Sequence, residues 1–87
     1  HKKGRQTLFE EIQHAKRTYV FYESPHRIMK TLEALLSRLE DRQVVIAREL
    51  TKMHEQVVRG TIEEVHAYFL EHPEKVKGEF VCIVERG

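Results

Sequence analysis

The stretch TYVFYESPHRIMKTLEALLSRLEDRQVVIA, Thr18 to Ala47, decides the fold. It opens on Thr18-Tyr19-Val20-Phe21-Tyr22, β-branched and aromatic with no polar alternation, which predicts a strand covered on both faces. It closes on Val44-Val45-Ile46-Ala47, a second fully apolar run. Between them Ile28, Leu32, Leu35, Leu36 and Leu39 recur at i, i+4, i+7, i+8 and i+11, the stripe of an amphipathic helix. Ser24 is placed to cap that helix, and Pro25 to begin it where a missing N–H costs nothing. Strand, helix, strand in this order is a βαβ unit. Its two strands should run parallel, joined by a right-handed crossover.

On the N-terminal side, Thr7 and Glu10 have capping-box spacing. They predict a helix from Thr7 to about Ala15 with Leu8, Ile12 and Ala15 on one face. On the C-terminal side, Arg48 to His54 reads as a polar joint. Glu55-Gln56-Val57-Val58-Arg59 is a shorter, more polar strand near an edge, broken by Gly60. Thr61-Ile62-Glu63-Glu64 is a second capping box, with Ile62, Val65 and Phe69 as the apolar face of a third helix. His72-Pro73 stops that helix. Gly78 introduces the last apolar strand, Glu79 to Val84. The fold class is therefore α/β: a mixed, four-stranded sheet with packed helices in the order α-β-α-β-β-α-β. No repeat or linker interrupts it, and residues 1–87 form a single domain.

Composition narrows the function classes. The 87 residues carry 15 Lys and Arg against 14 Asp and Glu, a net charge of +1, which gives little support to purely electrostatic DNA binding. With 33% charged and 40% hydrophobic residues the chain is globular rather than disordered. No apolar run is long enough to span a membrane. The basic N-terminus, His1-Lys2-Lys3-Gly4-Arg5, is followed by no apolar segment, so it is not read as a signal peptide. Cys82 is the only cysteine and cannot form an internal disulfide. Together these features predict a cytoplasmic setting.

The six histidines form no HxH, HxxxH or HExxH pair, and no metal site is expected. The segment Glu23-Ser24-Pro25-His26-Arg27 is more informative. It joins a strand's C-terminal end to a helix N-terminus, where open α/β sheets bind ligands. A simple helix cap accounts for Ser24 and Pro25. It leaves His26 and Arg27 unexplained, because a cation in a helix's first turn opposes the dipole. Arg48-Glu49-Leu50-Thr51-Lys52 follows the second apolar strand at the same sheet edge. As a solvated charged loop it would mean little; two polar segments converging on one edge favour a site. Gly78-Glu79 joins that cluster if the last strand runs antiparallel to the βαβ pair. Cys82, between apolar neighbours, reads as a buried inert thiol. Tyr19, Phe21 and Tyr22 read as core, since the RNA-binding sheet motif is absent.

Three motifs in order, TYVFYESPHR (18–27), VVIARELTKMHEQVVRGTIEEV (44–65) and KGEFVCIVE (77–85), with KKGRQT (2–7) ahead of them, resemble a known family. They are similar to the C-terminal half of the small-subunit ribosomal RNA methyltransferases of the tetrapyrrole (corrin/porphyrin) methylase superfamily. The resemblance implies an S-adenosylmethionine-dependent enzyme that methylates the 2′-hydroxyl of a cytidine in small-subunit ribosomal RNA. It implies two α/β domains that enclose the cofactor, and a homodimer. Three segments would approach the cofactor: Glu23-Ser24, Leu50-Thr51 and Gly78-Glu79. His26, Arg27, Arg48 and Lys52 would position RNA phosphate or a cofactor carboxylate, with the 30S subunit as partner. No catalytic base is assigned.

The family's N-terminal domain and the strand before KKGRQT have no counterpart here, so the chain is expected to be an inactive fragment of a larger enzyme. Two rival readings stand beside this one. One keeps the fold but takes a porphyrin or corrin as methyl acceptor; the wording of SPHR and ARELTK favours RNA. The other is a non-catalytic RNA-binding or dimerisation module.

Overall fold

The computed structural model describes residues 2–39, 42–51 and 54–86. Helix α1 spans Lys2–His14, strand β1 Tyr19–Glu23, helix α2 Ile28–Leu39, β2 Gln43–Thr51, β3 His54–Thr61, helix α3 Ile62–Glu71 and β4 Glu79–Val84; a single 3-10 turn, Pro73–Lys75, precedes β4. The predicted element order holds throughout.

The sheet order is β1-β4-β2-β3, and every neighbouring pair is antiparallel. The sheet is thus antiparallel throughout where a mixed sheet was expected. β1 and β2 do point the same way, as a helical crossover requires, because each runs antiparallel to β4. They do not touch, because β4 lies between them. Local pattern fixes the direction of a strand–helix–strand unit but not which later strand enters its gap.

Among the described residues, the buried apolar side chains belong to one cluster. Phe9 and Ile12 from α1, Ile28, Leu32, Leu35 and Leu39 from α2, and Ile62, Val65 and Phe69 from α3 meet Phe21, Val44, Ile46, Phe80, Cys82 and Val84 from the sheet. The helices thus form one layer on one face. Phe69 and Phe80 seal the two layers edge to face, with ring centroids 5.7 Å apart and planes at 89°. Among the described residues, no helix packs on the other face of the sheet. Burial alternates along β1, and Val20 and Tyr22 are 56% and 76% exposed. The expectation of a doubly covered first strand therefore fails, and so does the assignment of Tyr22 to the core.

The helix ends follow local chemistry. At α3 the predicted capping box is complete: Glu64 N–H donates to Thr61 Oγ1 (3.1 Å), and Thr61 N–H donates to Glu64 Oε1 (2.8 Å). Gly60, at φ +154° inside β3 rather than ending it, leaves room for this closure; a Cβ there would stand 2.8 Å from Glu64 Oε1. At α2, Ser24 contributes its carbonyl, which accepts the N–H groups of Arg27 (3.1 Å) and Ile28 (3.0 Å). The regular helix therefore begins at Ile28, one turn after the predicted Pro25 start. Helix α1 begins at Lys2, so Thr7 lies within it and is not its cap. Its C-terminal end is closed both locally and from a distance: the Ile12 carbonyl accepts Ala15 N–H (3.3 Å), and Arg42 donates to the carbonyls of Ile12 (3.2 Å) and Gln13 (3.4 Å).

Candidate functional site at one end of the sheet

The strand register brings the predicted segments together. Glu23, the last residue of β1, pairs with Phe80 of β4, and Phe80 pairs with Arg48 of β2. Glu79 pairs with Glu49, and Glu49 with Glu55. The C-terminal ends of β1 and β2 and the start of β4 therefore lie side by side. Ser24 continues from β1, Leu50-Thr51 from β2, and Gly78 precedes β4 directly. Gly78 sits at φ +81°, a left-handed conformation that glycine adopts without steric cost, and the chain turns there into the sheet. β4 runs antiparallel to the other two strands, which is the condition for Gly78-Glu79 to join the cluster.

Glu23 holds the first corner. Its side chain is buried; Oε1 accepts Ser24 N–H (3.1 Å) and Oε2 accepts the Thr31 hydroxyl (2.5 Å). The carboxylate thus ties the end of β1 to the second turn of α2. Thr31 occupies a buried position on that helix, a partner that the leucine stripe alone does not reveal. His26 and Arg27, in the turn between β1 and α2, are exposed beside this corner.

The second corner differs from its sequence reading. Arg48 to Thr51 is not a loop: β2 continues to Thr51 and β3 starts at His54. Charged residues at the end of a strand imitate a solvated joint in composition. Lys52 lies outside the described residues. Arg48 does not face solvent either. It is 5% exposed, on the same face as Val44 and Ile46, and its Nη2 donates to Gln56 Oε1 (2.5 Å). Gln56 Nε2 in turn donates to the Tyr68 hydroxyl (2.5 Å). Gln56 and Tyr68 went unnoticed in the sequence. The available signal was an amide on the inward phase of β3, two residues before Val58.

Next to this end a depression of about 310 Å³ is lined by Tyr22, Ala47, Arg48, Gln56, Val57, Glu79 and Val81. Its walls are mostly apolar with a few polar groups, the usual constitution of a small-molecule subsite. Glu79 is exposed and able to accept hydrogen bonds at its rim. Among the described residues no group of three His, Cys, Asp or Glu side chains is arranged to hold a metal ion, and no helix is long and apolar enough to cross a membrane.

The fold is a two-layer α/β domain whose strand ends gather Glu23-Ser24, Leu50-Thr51 and Gly78-Glu79 at one end of the sheet. The chain belongs to the tetrapyrrole (corrin/porphyrin) methylases, whose family model matches residues 1–66. It is 45% identical over 84 residues to "Ribosomal RNA small subunit methyltransferase I" of Haemophilus influenzae, covering 95% of this chain and 30% of that protein. The protein of the same name from Halalkalibacterium halodurans is 48% identical over 84 residues, and that from Bacillus subtilis 40%; each match covers 97% of this chain and 28% of the relative. The chain thus spans less than a third of the length of these relatives.

Proposed function

We propose that this chain is the cofactor-closing C-terminal domain of a methyltransferase that acts on small-subunit ribosomal RNA. The observation that carries this reading is the convergence of Glu23-Ser24, Leu50-Thr51 and Gly78-Glu79 on one sheet end, in a chain whose relatives are named for that activity. The methyl donor is S-adenosylmethionine, which supplies an activated methyl on a sulfonium. The residues present suit one wall of its site. Gly78 leaves the backbone open to close approach, Glu79 offers a carboxylate, and the neighbouring depression, near 310 Å³, lies at the small end of ligand pockets.

The acceptor is the 2′-hydroxyl of a cytidine within the 30S subunit. Transfer is a direct displacement at the methyl carbon, so the ribose oxygen must lie in line with the breaking bond and its proton must leave. This domain's part is to hold and orient. The strand ends hold the donor, while the exposed His26 and Arg27, with Lys52, meet RNA phosphate. Arg27 is a fixed cation with a planar donor fork suited to phosphate. The enzyme works as a cytoplasmic homodimer. The 87 residues alone offer only one wall of the cleft and transfer no methyl group.

The test is transfer of labelled methyl from S-adenosylmethionine to small ribosomal subunits that lack the modification. The complete encoded protein should label the RNA and the 87-residue chain should not. Labelling of a porphyrinoid instead of RNA would move the acceptor to the tetrapyrrole class. Labelling of RNA by the 87-residue chain alone would overturn its role as half of a cleft.

A further inference from the structure

Arg48 is the residue that this reading leaves unexplained. A buried guanidinium is costly unless its donors are paired. Arg48 is 5% exposed, and its Nε and Nη1 find no partner among the described residues; only Nη2 is engaged. An apolar side chain of similar volume would fill the same space without that cost. The position nevertheless lies two residues before Leu50, in the row Glu23–Phe80–Arg48–Gln56 that crosses the whole sheet at its ligand-type end. Local rules are most often broken at functional positions.

Burial also separates Arg48 from the other cations of the site. Arg27 is exposed and reachable by a phosphate backbone; Arg48 is only 5% exposed and its side chain is engaged with Gln56. What Arg48 does reach is a rigid support. The chain Arg48–Gln56–Tyr68 links β2 to β3 and then to α3. Its last member is itself held, since the Tyr68 ring packs edge-on against Phe69 (5.3 Å, 82°) and lies against His72 (4.6 Å, 36°).

We propose that Arg48 is a positioning residue: through Gln56 and Tyr68 it fixes the β2–β3 hairpin beneath the Leu50-Thr51 edge, and it makes no contact with RNA. This rests on the reading of that edge as part of the donor site. The inference concerns how the edge is held, so it can be tested with and without ligand.

Three variants of the complete encoded protein decide it: Arg48→Met, Tyr68→Phe and Arg27→Ala. In Arg48→Met the KM for S-adenosylmethionine should rise by roughly tenfold, the loss of about one hydrogen bond between the displaced edge and the donor. Tyr68→Phe, which removes only the hydroxyl, should move it in the same direction by less. The slope of log KM for RNA against log salt should be unchanged in both. In Arg27→Ala it should fall by about 0.7–0.9, the loss of one phosphate contact. A reduced salt slope in Arg48→Met would mean that Arg48 does touch phosphate and would overturn the proposal. So would an unaltered donor KM.

If the wild-type protein neither binds the donor nor methylates RNA, the donor-site reading fails by itself. The positioning claim is then read from backbone amide exchange in the same proteins. Arg48→Met and Tyr68→Phe should speed exchange over residues 48–51 while leaving Val44, Ile46 and Cys82 at wild-type rates. A uniform change across the sheet would make the chain of hydrogen bonds an ordinary stabilising contact and overturn the proposal.

Discussion

The two faces of the sheet are built from the same kinds of residue and live in different surroundings. On one face Phe21, Val44, Ile46, Phe80, Cys82 and Val84 are buried beneath three helices. On the other, Val20, Ile83, Val45 and Arg59 form one cross-strand row and Tyr22, Val81, Ala47 and Val57 the next, with Val20, Tyr22 and Val57 at least half exposed. An antiparallel sheet with one solvated face ordinarily alternates apolar inward with polar outward. Here the middle of the outward phase stays apolar across three and then four strands, with Arg59, Gln43 and Glu79 only at its margins. Apolar strands therefore report a preference for the pleated backbone and a potential for burial, while the chain's own helices realise that potential on one side only. The stability of the domain should accordingly reside almost wholly on the covered face.

The strongest challenge to that contrast is Phe80→Ala. Phe80 is wholly buried and meets Phe69 edge-on, so about 3–5 kcal/mol should be lost in a urea melt. Leu35→Ala, on the α2 stripe, should cost about 2–5 kcal/mol, whereas Arg27→Ala at the exposed turn should stay within about 0.5 kcal/mol. Equal losses would make Arg27 structural and remove its proposed role toward phosphate. Thr61→Ala breaks the capping box between β3 and α3 and should cost about 0.5–2 kcal/mol by the same melts.

On the open face, Tyr22→Ser should change stability by no more than about 0.5 kcal/mol. A loss as large as that of Phe80→Ala would erase the distinction between the faces. The smallest effect concerns Tyr19, whose hydroxyl donates to Glu11 (2.7 Å). That hydrogen bond, helped by burial and by the charge of Glu11, raises the Tyr19 phenol above its ordinary value of 10.0. The neutral phenol is the favoured form, so the contribution to folding is complete below pH 10.0 and is lost as pH rises through the elevated value. Glu11→Ala should lower the tyrosinate titration, followed by ultraviolet absorbance.

Much of this molecule can be read along the chain, where the signal is local. The leucine stripe of α2 and the Thr61–Glu64 box need only neighbouring residues, and both are in place. So is the convergence at one sheet end, since it follows from strand directions. What could not be read depends on contacts distant in sequence. Nothing in Glu79 to Val84 says that this strand enters between β1 and β2. Nothing in Arg48 says that it turns inward, because its partners Gln56 and Tyr68 become neighbours only once β3 and α3 have folded back. The outward turn of Tyr22 has the same origin: strand alternation separates it from Phe21, and only the placement of the helices decides which of the two is covered.

The donor edge itself is tested most directly by titrating S-adenosylmethionine into isotope-labelled complete protein and following backbone amide resonances. The largest shifts should fall on Ser24, Leu50, Thr51, Gly78 and Glu79, three stretches joined only by the sheet register. Saturable shifts confined to the opposite end of the sheet, around Val84 and Thr61, or no shift in this domain at all, would contradict the account.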